Sequence, residues 1–200
     1  MAKRAFDVLI AGASLLLLSP LLLAIAVWIK LDSRGPVFFR QQRVGRGGAL
    51  FRIHKFRTMR ADAARFGPQI TVGDDVRITG AGRLLRRAKL DELPQLIDVL
   101  AGTMSLVGPR PEVPKYVAMY PPGLRDKVLR VRPGITDPVS LRFADESALL
   151  ARAADPEREY IEVVMPQKLA AAVAYAEHAT LASDLRVIGQ TLHSLLFPPR

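Results

Sequence analysis

The chain has no cysteine, so disulfides and thiolate metal sites are excluded, and a reducing compartment fits that absence. Histidine is almost as scarce. His54, His178 and His193 are scattered and lack the paired spacing of zinc ligands. No Walker-type phosphate loop occurs, and the "GRGG" at 45–48 is too short and too common to count as a nucleotide fingerprint. A serine nucleophile elbow is missing as well. Acidic residues are outnumbered, 19 Asp and Glu against 29 Lys and Arg, for a net charge of +10. Such an excess predicts anionic partners: nucleic acid, phospholipid head groups or phosphorylated metabolites. Half of the residues are nevertheless hydrophobic. A simple nucleic-acid binder rarely needs a continuous apolar run, so the expectation is a protein at a membrane surface, with no nucleic acid among its partners.

That run is "VLIAGASLLLLSPLLLAIAVWI", residues 8–29. As a straight helix it would reach about 33 Å, enough to span a bilayer. Ser19-Pro20 sits near its middle, where proline removes a backbone hydrogen bond and crowds the preceding turn. Both flanks are basic, Lys3 and Arg4 before, Lys30, Arg34, Arg40, Arg43 and Arg46 after. Positive charge tends to stay cytoplasmic, so both flanks ask for the same membrane face. The residues alone leave several forms open: a kinked spanning helix, a re-entrant hairpin broken at Ser19 and Pro20, a cleaved signal peptide, or a buried helix.

From Lys30 to Arg60 there are nine Lys or Arg and one acid, Asp32. The sequence "VFFRQQRVGRGGALFRIHKF" reads as two short extended pieces around a glycine-rich turn. Attraction to anionic lipid accounts for several of these charges. The grouping "HKFRTM" is more specific, because Lys55 and Arg57 alternate with Phe56 and would share one extended face. Further on, "ADAARFG" suggests a short helix, and "TVGDDVRITGAG" a connection in which Asp74 and Asp75 are turn residues. "RLLRRAKL" reads as an amphipathic helix with Leu84, Leu85 and Ala88 inward and its arginines outward. Pro94 suits the first turn of a second helix, "PQLIDVLAG", which Gly102 closes. Residues 157–179 and 181–197 have helical spacing and read as packing or interfacial helices. The fold class is therefore mostly α with a small β-hairpin element (α+β), divided into an N-terminal membrane segment, 1–32, and a membrane-surface domain, 33–200.

Asp91 and Glu92 stand at the corner between two of these helices, after three cations in four residues. One account is structural: Arg87 and Asp91 are four residues apart, and acids at a helix start are stabilising by a few tenths to about 1 kcal/mol. The other is chemical. A carboxylate is a hard ligand for Mg²⁺ beside substrate phosphates, and an ionised Asp can attack phosphorus to form an acyl phosphate.

Five pieces in one order, the basic-flanked apolar run with Ser19-Pro20, "KFRTM" at 55–59, "DDVRITGAGRLLRRAKLDELPQL" at 74–96, "MSLVGPRPE" at 104–112 and "RPGIT" at 132–136, resemble the monotopic phosphoglycosyl transferases. The resemblance covers roughly residues 3–145. It implies transfer of a phosphosugar from a UDP-sugar to polyprenyl phosphate, with release of UMP, at the cytosolic face of the bacterial inner membrane. It implies Asp91 as nucleophile and Mg²⁺ ligand, Mg²⁺ as cofactor, and Glu92 as a second catalytic residue. Lys55, Arg57, Arg77, Arg87 and Arg110 are the expected phosphate and nucleotide contacts. The apolar segment is implied to be a re-entrant helix-break-helix, and the chain resembles the minimal form of the family. The phospholipid bilayer and a second copy of the chain, as a homodimer, complete the expected partners. The sequence departs from the resemblance after "RPGIT", where many relatives continue with Gly and Gln-x-x-Gly-Arg but this chain has "DPVSLRFADE"; sugar choice and any contacts by Arg142 or Glu146 rest on that stretch. A non-enzymatic lipid anchor and a phosphohydrolase are the competing functions.

Overall fold

The structure, a computed structural model, describes residues 2–63, 71–73, 75–139 and 146–197. Most of the expected "ADAARFG" helix, and with it Asp74 and Arg142, lies outside them.

Ala2–Asp32 forms one helix, α1. Pro20, the position of the expected break, lies inside this helix. The local chemistry explains the continuity. Proline cannot donate to the carbonyl four residues back, and the carbonyl so released is that of Leu16. The Ser19 hydroxyl donates to it at 2.8 Å. Most apolar side chains of α1 remain uncovered, Leu16, Leu17 and Leu31 among them, and the helix is long and apolar enough to cross a membrane.

Its two ends are nonetheless packed. Ala11 belongs to a core cluster with Leu96, Val99, Met104, Val107 and Val187, whereas Ile25 and Ile29 join Phe56 and Leu85 in another. At the N-terminal end Lys3 donates to the Val107 carbonyl at 3.1 Å and pairs with Asp184, Arg4 reaches the Val99 and Leu100 carbonyls, and buried Asp7 accepts from Ser105 and from the Leu106 amide.

The expected small β element is present as short pairs. Strands β1 (Phe38–Phe39) and β4 (Lys55–Phe56) pair antiparallel, as do β2 (Gln42–Val44) and β3 (Leu50–Arg52) around Gly47 and Gly48, both at positive φ. A parallel pair, β5 (Ser105–Val107) and β6 (Gly134–Thr136), lies further along.

Helix α2 (Gly80–Arg87) starts at Thr79, whose side chain caps the Gly82 amide and whose own amide bonds the Thr58 carbonyl at 3.0 Å. A Cβ on Gly82 would sit 2.0 Å from that same carbonyl. This contact fixes α2 against the "KFRTM" segment. Leu85 is buried as expected, but Leu84 is exposed, because an eight-residue helix offers only one narrow face to the core. Lys89 then takes a left-handed conformation, φ 56°, and the chain enters a 3₁₀ turn, Leu90–Glu92, followed by α3 (Gln95–Ala101), which Gly102 closes at φ 81°.

The C-terminal helical readings hold. Pro156–Glu159, a π-helical turn Tyr160–Val164 and Met165–His178 follow one another, and Leu181–Leu196 forms the last helix with a Thr180 capping box.

Candidate active site

The 3₁₀ turn brings Asp91 and Glu92 to the floor of a ring of cations, and their surroundings differ sharply. Lys55, on β4, donates to Glu92 Oε1 at 2.7 Å, and Arg110, in the loop after β5, reaches both oxygens of the same carboxylate. Burial alone would raise the Glu92 carboxyl, but Arg110 and Lys55 together outweigh it and hold it well below the usual range. Asp91 is 7% exposed and accepts no hydrogen bond from any described residue. Burial pushes its carboxyl up, against the opposing field of Lys55, with Glu92 adding to the rise and Arg86 and Arg110 opposing it. Two adjacent acids whose environments drive their ionisation apart are the usual mark of divided roles. Glu92 is committed to the cations; Asp91 is free to react.

The cations are tuned by the same contacts. Burial lowers Lys55, countered by Glu92, while the Glu92 charge raises Arg110 further above its ordinary value. Arg110 also lines a cavity with Glu112, Tyr120, Asp137, Tyr160 and Lys168, one that Asp91 and Lys55 do not border.

The structure places the other expected contacts elsewhere. Arg57 is 4% exposed and donates to the carbonyls of Ile29, Ser33 and Arg34. There it serves the C-terminal end of α1, where a cation is favoured by the helix dipole and by unsatisfied carbonyls. The expected shared face with Lys55 fails, because the chain beyond Phe56 turns toward that helix end. Arg77 grips Asp75 with its Nε at 2.9 and 3.0 Å and its Nη2 at 2.6 Å. Arg87 is exposed, and the anticipated Arg87–Asp91 helical pair does not form, since the left-handed Lys89 interrupts the helix between them.

Its neighbour Arg86 feels the charge of Asp91 instead, although no ion pair forms between them. It is partly buried, its Nη2 donates to Thr71 at 3.0 Å, and its ionisation is lowered by burial and raised by the charge of Asp91. Gly82 and Arg86 are four apart, so Arg86 shares the side of α2 that meets Thr58, a contact the sequence does not reveal.

Sequence reasoning also passed over Asp98 and His54. Asp98, 3% exposed, accepts from the His54 amide at 2.8 Å and faces its Nδ1 at 2.7 Å, tying α3 to the residue before Lys55.

Among the described residues no three His, Cys, Asp or Glu side chains cluster to hold a metal. The Asp91 carboxylate, which accepts no hydrogen bond from any described residue, suits a Mg²⁺ ion that draws its remaining ligands from substrate phosphates, a common donor set for this ion.

Comparison with known proteins covers the chain as a whole. The profile describing bacterial sugar transferases matches residues 1–198. A UDP-glucose:undecaprenyl-phosphate glucose-1-phosphate transferase of Caulobacter vibrioides is 40% identical over 208 aligned residues, covering 97% of this chain and 69% of the relative. A UDP-N-acetylgalactosamine-undecaprenyl-phosphate N-acetylgalactosaminephosphotransferase of Aeromonas hydrophila is 46% identical over 136 residues, 67% of this chain and 32% of the relative. The exopolysaccharide production protein PSS of Rhizobium leguminosarum bv. phaseoli is 51% identical over 109 residues, 54% of each chain. The matched part is thus about a third of the Aeromonas protein and about half of the Rhizobium one.

Proposed function

Because the chain belongs to the bacterial sugar transferase family, we propose that it moves a sugar phosphate from a UDP-sugar to undecaprenyl phosphate, and that Asp91 is the nucleophile. The observation that carries this reading is the uncommitted, buried Asp91 carboxylate beside a Glu92 already held by Lys55 and Arg110.

In the first step an Asp91 oxygen attacks the sugar-bearing phosphorus. The bond from that phosphorus to the bridging oxygen breaks, and UMP leaves with the oxygen and its electron pair. In the second, a phosphate oxygen of the lipid acceptor attacks the same phosphorus. The bond to Asp91 breaks, restoring the carboxylate and releasing the polyprenyl diphosphate sugar.

A carboxylate attacking a diphosphate must overcome like-charge repulsion, and Lys55, Arg86 and Arg110 are the preorganised cations that reduce it. Glu92 holds two of them in place, so its role is to position Lys55 and Arg110. Burial raises the Asp91 carboxyl, which makes its ionised form a stronger nucleophile than a fully solvated acid. A Mg²⁺ ion held by Asp91 and the donor phosphates would supply further neutralisation when bound.

The second substrate is a lipid, and the placement of α1 supports a monotopic arrangement at the cytosolic face. Both ends of this helix are tied to one globular body, Lys3 and Arg4 at the start and Arg57 on the carbonyls of Ile29, Ser33 and Arg34 at the finish. An apolar helix with both ends on one side dips into one leaflet and returns, and Pro20 is the place where this helix would bend. A site beside this helix receives a soluble donor and a lipid acceptor in succession.

The test is UMP release from a panel of UDP-sugars by the detergent-purified chain, with and without Mg²⁺ and undecaprenyl phosphate, comparing wild type with Asp91→Asn. Release that needs the acceptor for sustained turnover and falls by about a thousandfold or more in the variant supports the reading. Full activity in Asp91→Asn would remove Asp91 as nucleophile.

A further inference from the structure

The tip of the β2–β3 hairpin borders an open groove of about 710 Å³. Its other wall comes from α4 (Pro114–Val117), α5 (Pro122–Val128) and the residues that follow them. Val44, Val117 and Leu129 make an apolar base, while Arg46, Arg125 and Arg130 bring three guanidinium groups to the same space. Among the described residues that border it there is one acid, Asp126. Neither Asp91 and Glu92 nor Lys55, Arg86 and Arg110 line it, so the groove is separate from the candidate active site.

These cations are uncommitted. The side chains of Arg46 and Arg130 form no hydrogen bond or ion pair with any described residue. Arg125 meets only Asp126, at 3.7 Å, and their side chains are 43% and 67% exposed, so this pair contributes little. Glu177, an acid within the field of Arg130, is already held by Lys127 at 2.7 Å. Scattered surface arginines are ordinary in a chain of net charge +10, but these three share one concave volume of the size that takes small-molecule ligands. Its walls are also fixed by the backbone: the Gly47 amide donates to the Leu129 carbonyl at 2.8 Å, and the Val44 amide to the Glu112 carbonyl at 3.0 Å. The groove is therefore preformed, and like charges that repel across it gain from a bridging anion.

We propose that this groove is a second anion site, which takes a phosphate or diphosphate group on Arg46, Arg125 and Arg130 and lays the uncharged part of the same ligand on the apolar base. Phosphate fits the cations better than a carboxylate does, because it concentrates about two charges and three acceptor oxygens at one point, and the arginine fork matches its geometry. A soluble phosphate compound and an anionic lipid headgroup share this chemistry. The site does not depend on the role of Asp91.

The test uses the full chain in phosphatidylcholine nanodiscs, labelled with ¹⁵N-arginine and titrated with inorganic pyrophosphate in about 0.15 M salt, where exposed charges are screened beyond about 8 Å. The side-chain Nε–H resonances are assigned with Arg46→Lys, Arg125→Lys and Arg130→Lys, and the Arg110 resonance reports separately on the candidate active site. The expected result is that Arg46, Arg125 and Arg130 shift together along one saturating curve. Combining Arg46→Gln with Arg130→Gln is expected to weaken the binding read at Arg125 by about tenfold or more. Groove resonances that stay still, or that drift with concentration without saturating, belong to solvated surface cations and overturn the proposal; so does movement confined to Arg110. The wild-type titration decides this even if the double variant fails to fold. A second arm replaces part of the phosphatidylcholine with phosphatidylglycerol. Groove resonances already shifted there before pyrophosphate is added support the site with a lipid headgroup as its ligand, whereas a full pyrophosphate response in both bilayers supports it with a soluble phosphate compound. No turnover is needed, so a chain that releases no UMP counts against the proposed function and leaves this result standing.

Discussion

Asp91 and Glu92 are adjacent carboxylates with opposite thermodynamic effects. Glu92 is lowered well below its ordinary value, since Arg110 and Lys55 outweigh its burial. A depressed carboxylate contributes stability that is present above its unfolded value, near 4.3, and is lost as pH falls through the folded one. Asp91 is raised, chiefly by burial. Its ionised form is the less favourable in the folded chain, so it withdraws stability as pH rises above its unfolded value, near 3.9. Thermal denaturation at several pH values checks both signs. At pH 7 Glu92→Gln is expected to melt below wild type and Asp91→Asn at or above it, with both differences shrinking toward pH 3. The account of Asp91 also explains why the chain keeps a residue that weakens it, since reactive groups commonly trade stability for chemistry.

At the scale of elements, two junctions decide whether these residues meet. One is Gly82, where α2 touches the Thr58 backbone so closely that any Cβ would collide with the carbonyl. Gly82→Ala is expected to cost about 1–3 kcal/mol through overpacking and to draw Arg86 away from Asp91. A lowered melting temperature together with a raised KM for the UDP-sugar is the outcome to look for, and an unchanged melting temperature would contradict the contact. The other junction is α1. Because the chain contains no cysteine, single cysteines placed at Ala2 and Ser33 report without background. With both ends of α1 on one body, a membrane-impermeant thiol reagent is expected to label both from the cytosolic side alone. Labelling of the two from opposite sides would show a spanning helix instead.

Across the whole molecule, the features legible in the sequence are those that depend on neighbours in the chain. The closing Gly102, the glycine turn of the β2–β3 hairpin and the last two helical stretches all follow from local spacing. The corner that carries Asp91 and Glu92 followed from Pro94 and the preceding basic run. What stayed hidden depends on distant partners or on local conformations that spacing does not encode. Arg57 looks like a ligand beside Lys55, but its carbonyl partners lie 23–28 residues earlier and become neighbours only when α1 docks. Arg87 and Arg86 are adjacent in sequence, and only the left-handed Lys89, a conformation that a non-glycine residue does not advertise, decides which of them sees Asp91. The continuity of α1 through Pro20 turned on one hydroxyl, Ser19, whose capacity to replace the lost bond is not evident from hydropathy. The resemblance to a family of sugar transferases pointed to the acid pair as the candidate site; the structure then showed which cations reach it.

The central claim is that Asp91 carries the sugar phosphate. Intact-protein mass spectrometry of the purified chain, mixed with its UDP-sugar in the absence of undecaprenyl phosphate, tests it directly. The account predicts an adduct of one sugar phosphate per chain that maps to Asp91, disappears when undecaprenyl phosphate is added, and never forms in Asp91→Asn. A wild-type chain that turns over without any adduct, or an adduct that persists in Asp91→Asn, would contradict it.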